Sequence, residues 1–208
     1  MHIKHMSKWY ILPGMGATSA MYDSLKPEID FEANFLDWPE YKGETTYMEV
    51  AARIITENDI SDGDIVGGSS LGGMVALEIA QILRPRTTVL LGSAINKREV
   101  QSALSILSPL AAVTPISLIQ FLVGKHKSLI AKMFSNCDSG FIRAMCLHLR
   151  SWPGYSGPNE NIVRLHGRKD HVIPCPATGA EIIDGAGHLL AMTHPKETGQ
   201  FLKNVHST

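Results

Sequence analysis

Residues 65–72, IVGGSSLG, decide the fold, because they join an apolar run to a second run rich in alanine and leucine. The β-branched beginning of this stretch is typical of a buried strand, and residues 71–83 have the composition of a helix. That helix must end near Arg84, since Pro85 disfavours helical backbone at the residue before it. The stretch therefore predicts a buried strand that turns directly into a helix.

Ser70 lies at the centre of a Gly-x-Ser-x-Gly pattern that runs from Gly68 to Gly72. A nucleophile on a tight strand-to-helix turn needs small residues two positions before and after it, because the turn is strained and crowded. Gly68 and Gly72 meet this need for Ser70, whereas Ser69 has Leu71 two positions after it. The following helix N-terminus favours a developing negative charge. The pattern predicts Ser70 as a nucleophile; a turn without chemistry, or one that binds phosphate, remains the alternative.

Two further segments place polar residues directly after predicted strands. Asp170 follows the apolar strand 162–165, and His188 follows the strand 181–183. Because the carboxyl ends of parallel strands lie on one edge of a sheet, these side chains can converge there with Ser70. The chain order Ser, Asp, His is also the order found in enzymes with this kind of nucleophile turn. The sequence therefore predicts a catalytic triad of Ser70, Asp170 and His188.

Predicted strands and helices alternate along the chain. The strands are 9–12, 33–36, 65–68, 87–91, 162–165 and 181–183, and the helices are 20–25, 47–58, 71–83 and 195–205. This alternation is typical of an α/β fold, and we expect a mostly parallel sheet of about six strands with helices on both faces. Residues 1–93 and 159–208 are expected to form this core. Residues 94–158 are expected to form a helical lid inserted between two strands.

Residues 100–124 contain no charged side chain, which meets the length requirement of a membrane span. They also contain four serines, one threonine, two glutamines and two prolines, so they are less apolar than a typical span. We therefore expect short apolar helices of the lid and no stable membrane insertion, with a transmembrane helix as the alternative. Some of the apolar side chains can line an acyl pocket, or they can all pack against other helices.

The overall composition excludes several classes of protein. The chain has 208 residues, 44% of them hydrophobic, and a formal net charge of -1. These values are typical of one globular domain whose core needs neither disulfides nor metals for stability. The 19 basic and 20 acidic residues are nearly balanced. We therefore expect a small-molecule substrate and no nucleic acid.

The remaining signals favour a cytoplasmic protein without a metal or cofactor. The three cysteines form no CxxC motif. The first apolar run ends at Pro13, which is too short for a signal-peptide core of about 7–15 residues. The histidines show no HExxH or paired spacing, and the glycine-rich residues 67–73 lack the lysine of a phosphate-binding P-loop. We expect no metal site and no cofactor.

The chain resembles the α/β-hydrolases, and in particular compact bacterial-type serine hydrolases. The resemblance is carried by LPGMG at 12–16, the Ser70 pattern, GRKDHVIP at 167–174 and Gly187-His188. It implies that the backbone N–H groups of Met15 and Leu71 form an oxyanion hole. Pro13 stands where the family often has a histidine.

The chain also departs from larger members of this family. Few strands precede Ser70, so we expect the two N-terminal antiparallel strands of those members to be missing. Pro174, Pro176 and Gly179 argue against a long helix between Asp170 and His188. One edge of the sheet would then be less covered, and we expect either a monomer or a homodimer that uses this edge.

The sequence as a whole predicts a serine hydrolase. The triad would cleave an ester, thioester or lactone of a small apolar acyl compound through an acyl-enzyme intermediate. An S-x-x-K arrangement is absent, and Ser70 stands where dehalogenases and epoxide hydrolases of this fold have an aspartate. The alternatives are a cofactorless lyase that uses the same triad and a non-catalytic ligand-binding protein.

Overall fold

A computed structural model describes residues 7–100 and 138–208 of the chain. Its sheet has six strands, all parallel, in the order β2-β1-β3-β4-β5-β6. The strands are β1 (Trp9–Leu12), β2 (Asn34–Phe35), β3 (Ile65–Ser69), β4 (Thr87–Leu91), β5 (Ile162–Gly167) and β6 (Glu181–Ile183). The chain moves outward from β1 to β2 and then returns to β3 on the other side of β1. Open sheets of this kind bind ligands where the strand order reverses, which here is beyond the carboxyl ends of β1 and β3.

Helices cover both faces of the sheet, as the sequence predicts. α1 (Tyr47–Asn58), α2 (Leu71–Ile82) and α3 (Ser139–Ser151) pack on one face. The other face is covered by α4 (Leu190–Thr193), α5 (Pro195–His206) and the 3₁₀ turn η1 (Ser19–Tyr22). Because both faces are covered, the central strands are apolar on both sides, and all four residues of β1 are buried.

The short helix predicted over residues 20–25 is present in part, as a 3₁₀ helix and not as an α-helix. The chain forms two 3₁₀ turns there, η1 and η2 (Lys26–Glu28). Pro27 has no N–H to donate, and it disfavours helical backbone at Lys26, so an α-helix cannot continue through this segment. The short helix α4 is a further element that the sequence patterns did not predict, whereas α1, α2 and α5 lie where they were expected.

The two ends of the predicted lid meet at the surface of the core. The amide of Tyr155 donates to the carbonyl oxygen of Ile95 at 2.8 Å. Trp152, directly after α3, is fully buried and donates its indole N–H to Glu78 of α2 at 2.6 Å. Burial raises the pKa of Glu78 despite this donor. Residues 101–137, which hold most of the uncharged run 100–124, lie outside the described residues.

The connection between β5 and β6, residues 168–180, contains no helix, in agreement with the prolines of that segment. β6 is an edge strand of three residues, and each of them is partly or largely exposed. Across 7–100 and 138–208, no helix is long and apolar enough to cross a membrane.

Candidate active site

Ser70 stands at the junction between β3 and α2 with φ 53° and ψ -116°. Such backbone is strained for a residue with a side chain, at a cost of about 1–3 kcal/mol, and it persists only where its surroundings hold it. The Ser70 amide donates to Leu91 of β4 at 3.1 Å. Its carbonyl oxygen accepts from the Gly73 amide at 3.1 Å and from the Ser93 hydroxyl at 2.7 Å. These bonds hold the turn in its strained form.

The glycines beside Ser70 have no room for a side chain. A Cβ atom on Gly68 would lie 2.5 Å from the carbonyl carbon of Gly72. A Cβ atom on Gly72 would lie 2.5 Å from the carbonyl oxygens of both Leu12 and Pro13. The nucleophile turn (residues 68–72) is therefore packed directly against the end of β1, as the sequence pattern predicts.

The side chains of Ser70, His188 and Asp170 form one continuous line of hydrogen bonds. Nε2 of His188 lies 3.0 Å from Oγ of Ser70, and Nδ1 of His188 lies 2.8 Å from Oδ2 of Asp170. Both distances are within hydrogen-bond range. The structure thus brings together the three residues that the sequence predicted as a triad.

The Asp170 loop (residues 168–173) surrounds its carboxylate with donors. Oδ1 accepts from the backbone amides of Val172 at 2.8 Å and Ile173 at 3.0 Å. Burial opposes ionisation of this carboxyl, but the nearby imidazole of His188 and the surrounding donors outweigh it and hold the pKa of Asp170 well below its usual range. Because an ionised carboxylate only accepts, Nδ1 of His188 carries a proton and Nε2 is free to accept one from Ser70.

His166 is a second imidazole on the same carboxylate, and the sequence analysis did not assign it a role. It lies in β5, is fully buried, and places Nε2 3.2 Å from Oδ2 of Asp170. The same Nε2 lies 2.8 Å from the carbonyl oxygen of Ile173, so it carries a proton. Nδ1 of His166 has no hydrogen-bond partner among the described residues. A histidine inside an apolar strand, four residues before Asp170, is the signal from which this contact could have been found.

Ser93 links the turn to a buried ion pair. Arg164 of β5 donates to the Ser93 carbonyl oxygen at 3.0 Å and to Glu99 at 2.7 Å and 3.2 Å. The arginine is only 7% exposed, so the paired carboxylate is needed to offset its desolvation. The first residues of the predicted lid are thereby attached to the strand that leads to Asp170.

The two predicted oxyanion donors lie in the segments that follow β1 and β3. Leu71 is the first residue of α2 and is buried, and Met15 follows β1 in the Gly14 loop (residues 13–17) and is half-buried. The loop lies beside the nucleophile, since a Cβ atom on Gly14 would be 3.9 Å from Cβ of Ser70.

Tyr22 holds the two segments beside the turn together. Its buried hydroxyl donates to the carbonyl oxygen of Leu12 at 2.7 Å and lies 2.9 Å from the hydroxyl of Ser69, from which it accepts. Burial raises the pKa of Tyr22 far above its usual range, so the hydroxyl stays protonated. The Ser69 hydroxyl is thus bonded to Tyr22 and the Ser70 hydroxyl to His188, which agrees with the choice of Ser70 as the predicted nucleophile.

No group of three or more histidine, cysteine or acidic residues that could hold a metal ion is present in the part of the chain that the structure describes.

Comparison with known proteins places the chain in a family. A family model described as the alpha/beta hydrolase family matches residues 10–200. The protein therefore belongs to the alpha/beta hydrolase family. No curated protein matches the chain in sequence.

Solved structures share the fold at low sequence identity. A thermophilic esterase from Thermogutta terrifontis is 18% identical with a TM-score of 0.70, over 96% of this chain and 90% of its own. A hydrolase from Oleispira antarctica is 13% identical with a TM-score of 0.72, over 97% and 91%. An enol-lactonase from Burkholderia xenovorans is 14% identical with a TM-score of 0.69, over 97% and 92%. The fold therefore extends over almost the whole length of each of these chains.

Proposed function

We propose that this protein is a serine hydrolase that cleaves an ester, thioester or lactone of a small apolar acyl compound. The observation that carries the proposal is the line from Oγ of Ser70 through His188 to Asp170, with contacts of 3.0 Å and 2.8 Å. Nucleophile, base and orienting carboxylate in this arrangement are the parts of a Ser-His-Asp triad. The esterase and lactonase among the structural neighbours act on bonds of this class by their names, which agrees with the proposal.

The proposed reaction begins when Oγ of Ser70 attacks the carbonyl carbon of the substrate. Nε2 of His188 takes the hydroxyl proton, and Asp170 stabilises the imidazolium that forms. As the tetrahedral intermediate collapses, the bond to the leaving oxygen or sulfur breaks and His188 gives that atom its proton. Water then attacks the acyl-enzyme with His188 again as the base, and the acid and free Ser70 are released.

The oxyanion would be stabilised by the backbone N–H groups of Met15 and Leu71. Each such donor is typically worth about 10²–10³ in rate, because it acts on charge that develops only in the transition state. Leu71 begins α2, so the helix N-terminus adds a favourable field at the same place.

The apolar substrate class is proposed from the side chains near the Gly14 loop. Ring centroids of Trp38 and Phe141 lie 5.1 Å apart, and Sγ of Cys146 lies 3.3 Å from Sδ of Met15. Phe141 and Cys146 belong to α3, so the last helix of the proposed lid, within residues 94–158, contacts the Gly14 loop and its surroundings. A lid that touches this loop suits an acyl group enclosed by apolar surface.

The test is labelling by a fluorophosphonate probe together with hydrolysis of a chain-length series of p-nitrophenyl esters. We expect the wild-type protein to be labelled and active. Ser70→Ala should stay folded, should not be labelled, and should have a kcat lower by a factor of about 10⁶. Ser69→Ala is the matched control, since it removes the neighbouring hydroxyl and should keep both signals.

Two outcomes would contradict the proposal. Absence of labelling in the wild-type protein would favour a non-catalytic ligand-binding protein. Labelling at Ser70 without hydrolysis of any ester, thioester or lactone in a substrate panel would favour a lyase that uses the same three residues.

A further inference from the structure

We propose that Trp38 is a positioning residue for the oxyanion hole. Its indole N–H holds the peptide between Gly14 and Met15 so that the Met15 amide faces the carbonyl group that Ser70 attacks. This inference rests on the proposed function, because it needs an oxyanion to form at Ser70.

The hydrogen bonds of one carbonyl group carry the inference. Nε1 of Trp38 donates to the carbonyl oxygen of Gly14 at 3.0 Å, and the amide of Ala17 donates to the same oxygen at 3.1 Å. The described residues contain no cis peptide bond. In a trans peptide the C=O and the following N–H point in opposite directions in one plane. A donor that fixes the Gly14 oxygen therefore also fixes the direction of the Met15 N–H.

The preceding peptide, between Pro13 and Gly14, is held weakly through its N–H group. The Gly14 amide donates to Sδ of Met21 at 3.2 Å, and a thioether is a weak acceptor. Glycine at position 14 also leaves the backbone freer to rotate than any other residue would. Loss of the Trp38 donor would leave the Ala17 amide as the strong hydrogen bond on the Gly14 oxygen, and the peptide plane could tilt.

Two donors on one carbonyl oxygen have a second consequence. Hydrogen bonds in a chain polarise one another, so an amide whose oxygen accepts two of them has a more positive N–H. The Met15 amide would therefore be both better oriented and a stronger donor to an oxyanion because Trp38 is present.

The indole ring is itself held from two sides. Trp38 follows Asp37, whose carboxylate accepts from the Ser19 amide at 2.6 Å. This hydrogen bond attaches the backbone before Trp38 to the segment that follows the Gly14 loop. On its other side the ring packs against Phe141 of α3 at 5.1 Å between centroids and 42° between planes. The core segment after β2 and the last helix of the proposed lid thus set where the Trp38 N–H points.

The first test is Trp38→Phe, which keeps an aromatic ring against Phe141 and removes the N–H. The matched control is Trp9→Phe. Trp9 also donates its indole N–H, to His206 at 3.1 Å, but it begins β1 and so lies at the other end of that strand from the Gly14 loop. Kinetics would be measured with a p-nitrophenyl ester. Affinity would be measured with an alkyl trifluoromethyl ketone, which forms a tetrahedral adduct bearing an oxyanion.

Complete loss of an oxyanion donor costs about 10²–10³ in kcat, so a misdirected donor should cost less, about tenfold. We expect Trp38→Phe to show this loss in kcat with KM changed less than about threefold, because the oxyanion forms only in the transition state. Affinity for the ketone should fall by the same factor as kcat/KM. Trp9→Phe should match the wild-type protein in all three quantities.

A second variant covers the case in which Trp38→Phe does not fold. Amber suppression would place 3-benzothienylalanine at position 38, which keeps the shape of the indole and replaces its N–H with sulfur. The same loss in kcat and in ketone affinity is expected.

The inference is overturned if either folded variant at position 38 keeps wild-type kcat and ketone affinity, or if Trp9→Phe loses as much as Trp38→Phe. Failure of the proposed function is a different result, since the wild-type protein would then neither hydrolyse esters nor react with the fluorophosphonate.

Discussion

The nucleophile turn and the Asp170 loop hold their side chains in different ways. The turn depends on the absence of side chains at Gly68 and Gly72, because it lets three backbone segments approach one another. The Asp170 loop depends on N–H donors, because two backbone amides and two imidazoles surround the carboxylate. One device positions a residue by close packing, and the other positions a charge by hydrogen bonds.

This difference separates stability from catalysis. An added methyl group in the turn forces backbone atoms apart, so it should damage the fold first and activity as a consequence. A changed charge in the Asp170 loop keeps the shape of the side chain, so it should damage catalysis and leave the fold largely intact. Substitutions of the two kinds therefore test whether stability and catalysis are separated in this way.

Among the substitutions that test this difference, the largest effect is expected for Asp170→Asn. The amide group keeps the shape of the carboxylate but presents an N–H₂ group toward His188, which disfavours the tautomer that accepts a proton from Ser70. We expect kcat for a p-nitrophenyl ester to fall by about 10⁴ while the protein stays folded. Asp184→Asn is the matched control, because Asp184 pairs with Arg168 at the exposed surface nearby. Asp170→Asn within tenfold of wild-type kcat would contradict the triad.

A smaller but still severe effect is expected for Gly72→Ala, now on stability. The new Cβ atom would meet two carbonyl oxygens at 2.5 Å, and neither belongs to a flexible side chain. The free energy of unfolding should fall by more than the roughly 1–3 kcal/mol of ordinary overpacking, as measured by urea denaturation.

Gly14→Ala is the control for that measurement. Its Cβ atom would lie 3.8 Å and 3.9 Å from its nearest neighbours, which is ordinary contact distance. Equal stabilities for the two alanine variants would mean that close packing does not hold the nucleophile turn.

The fold could be predicted from sequence because its signals are local. Buried parallel strands appear as short apolar runs, and the turn at Ser70 has its own pattern of small residues. The sites after β5 and β6 could be placed because parallel strands bring their carboxyl ends to one edge, and the structure does bring Ser70, Asp170 and His188 together there. The assignment of these residues as a working triad stays a prediction.

Other parts of the site depend on contacts between distant segments, which no local pattern contains. Trp38 reaches Gly14 only because β2 pairs with β1, and the two residues are 24 positions apart. Arg164 is a charged residue within a buried strand, and only the folded structure shows that Glu99 pairs with it. His166 is different, because Asp170 lies only four positions further along the chain.

The effect of pH on the free energy of unfolding tests whether the Asp170 loop stabilises a charged carboxylate. The pKa of Asp170 is depressed from its ordinary value of 3.8, so the ionised form is favoured by folding. Its contribution is therefore fully present above that value and is lost as the pH falls toward the folded pKa, with a slope of up to about 1.4 kcal/mol per pH unit.

Asp170→Asn has no proton to gain, and all other carboxyl groups are common to the two proteins. The difference in unfolding free energy between wild type and Asp170→Asn should therefore shift in favour of the variant as the pH falls below about 4. Urea denaturation at pH 6 and pH 3 measures it. If the difference is the same at both pH values, the donors around this carboxylate position it without favouring its charge, and the contrast with the nucleophile turn would be one of geometry alone.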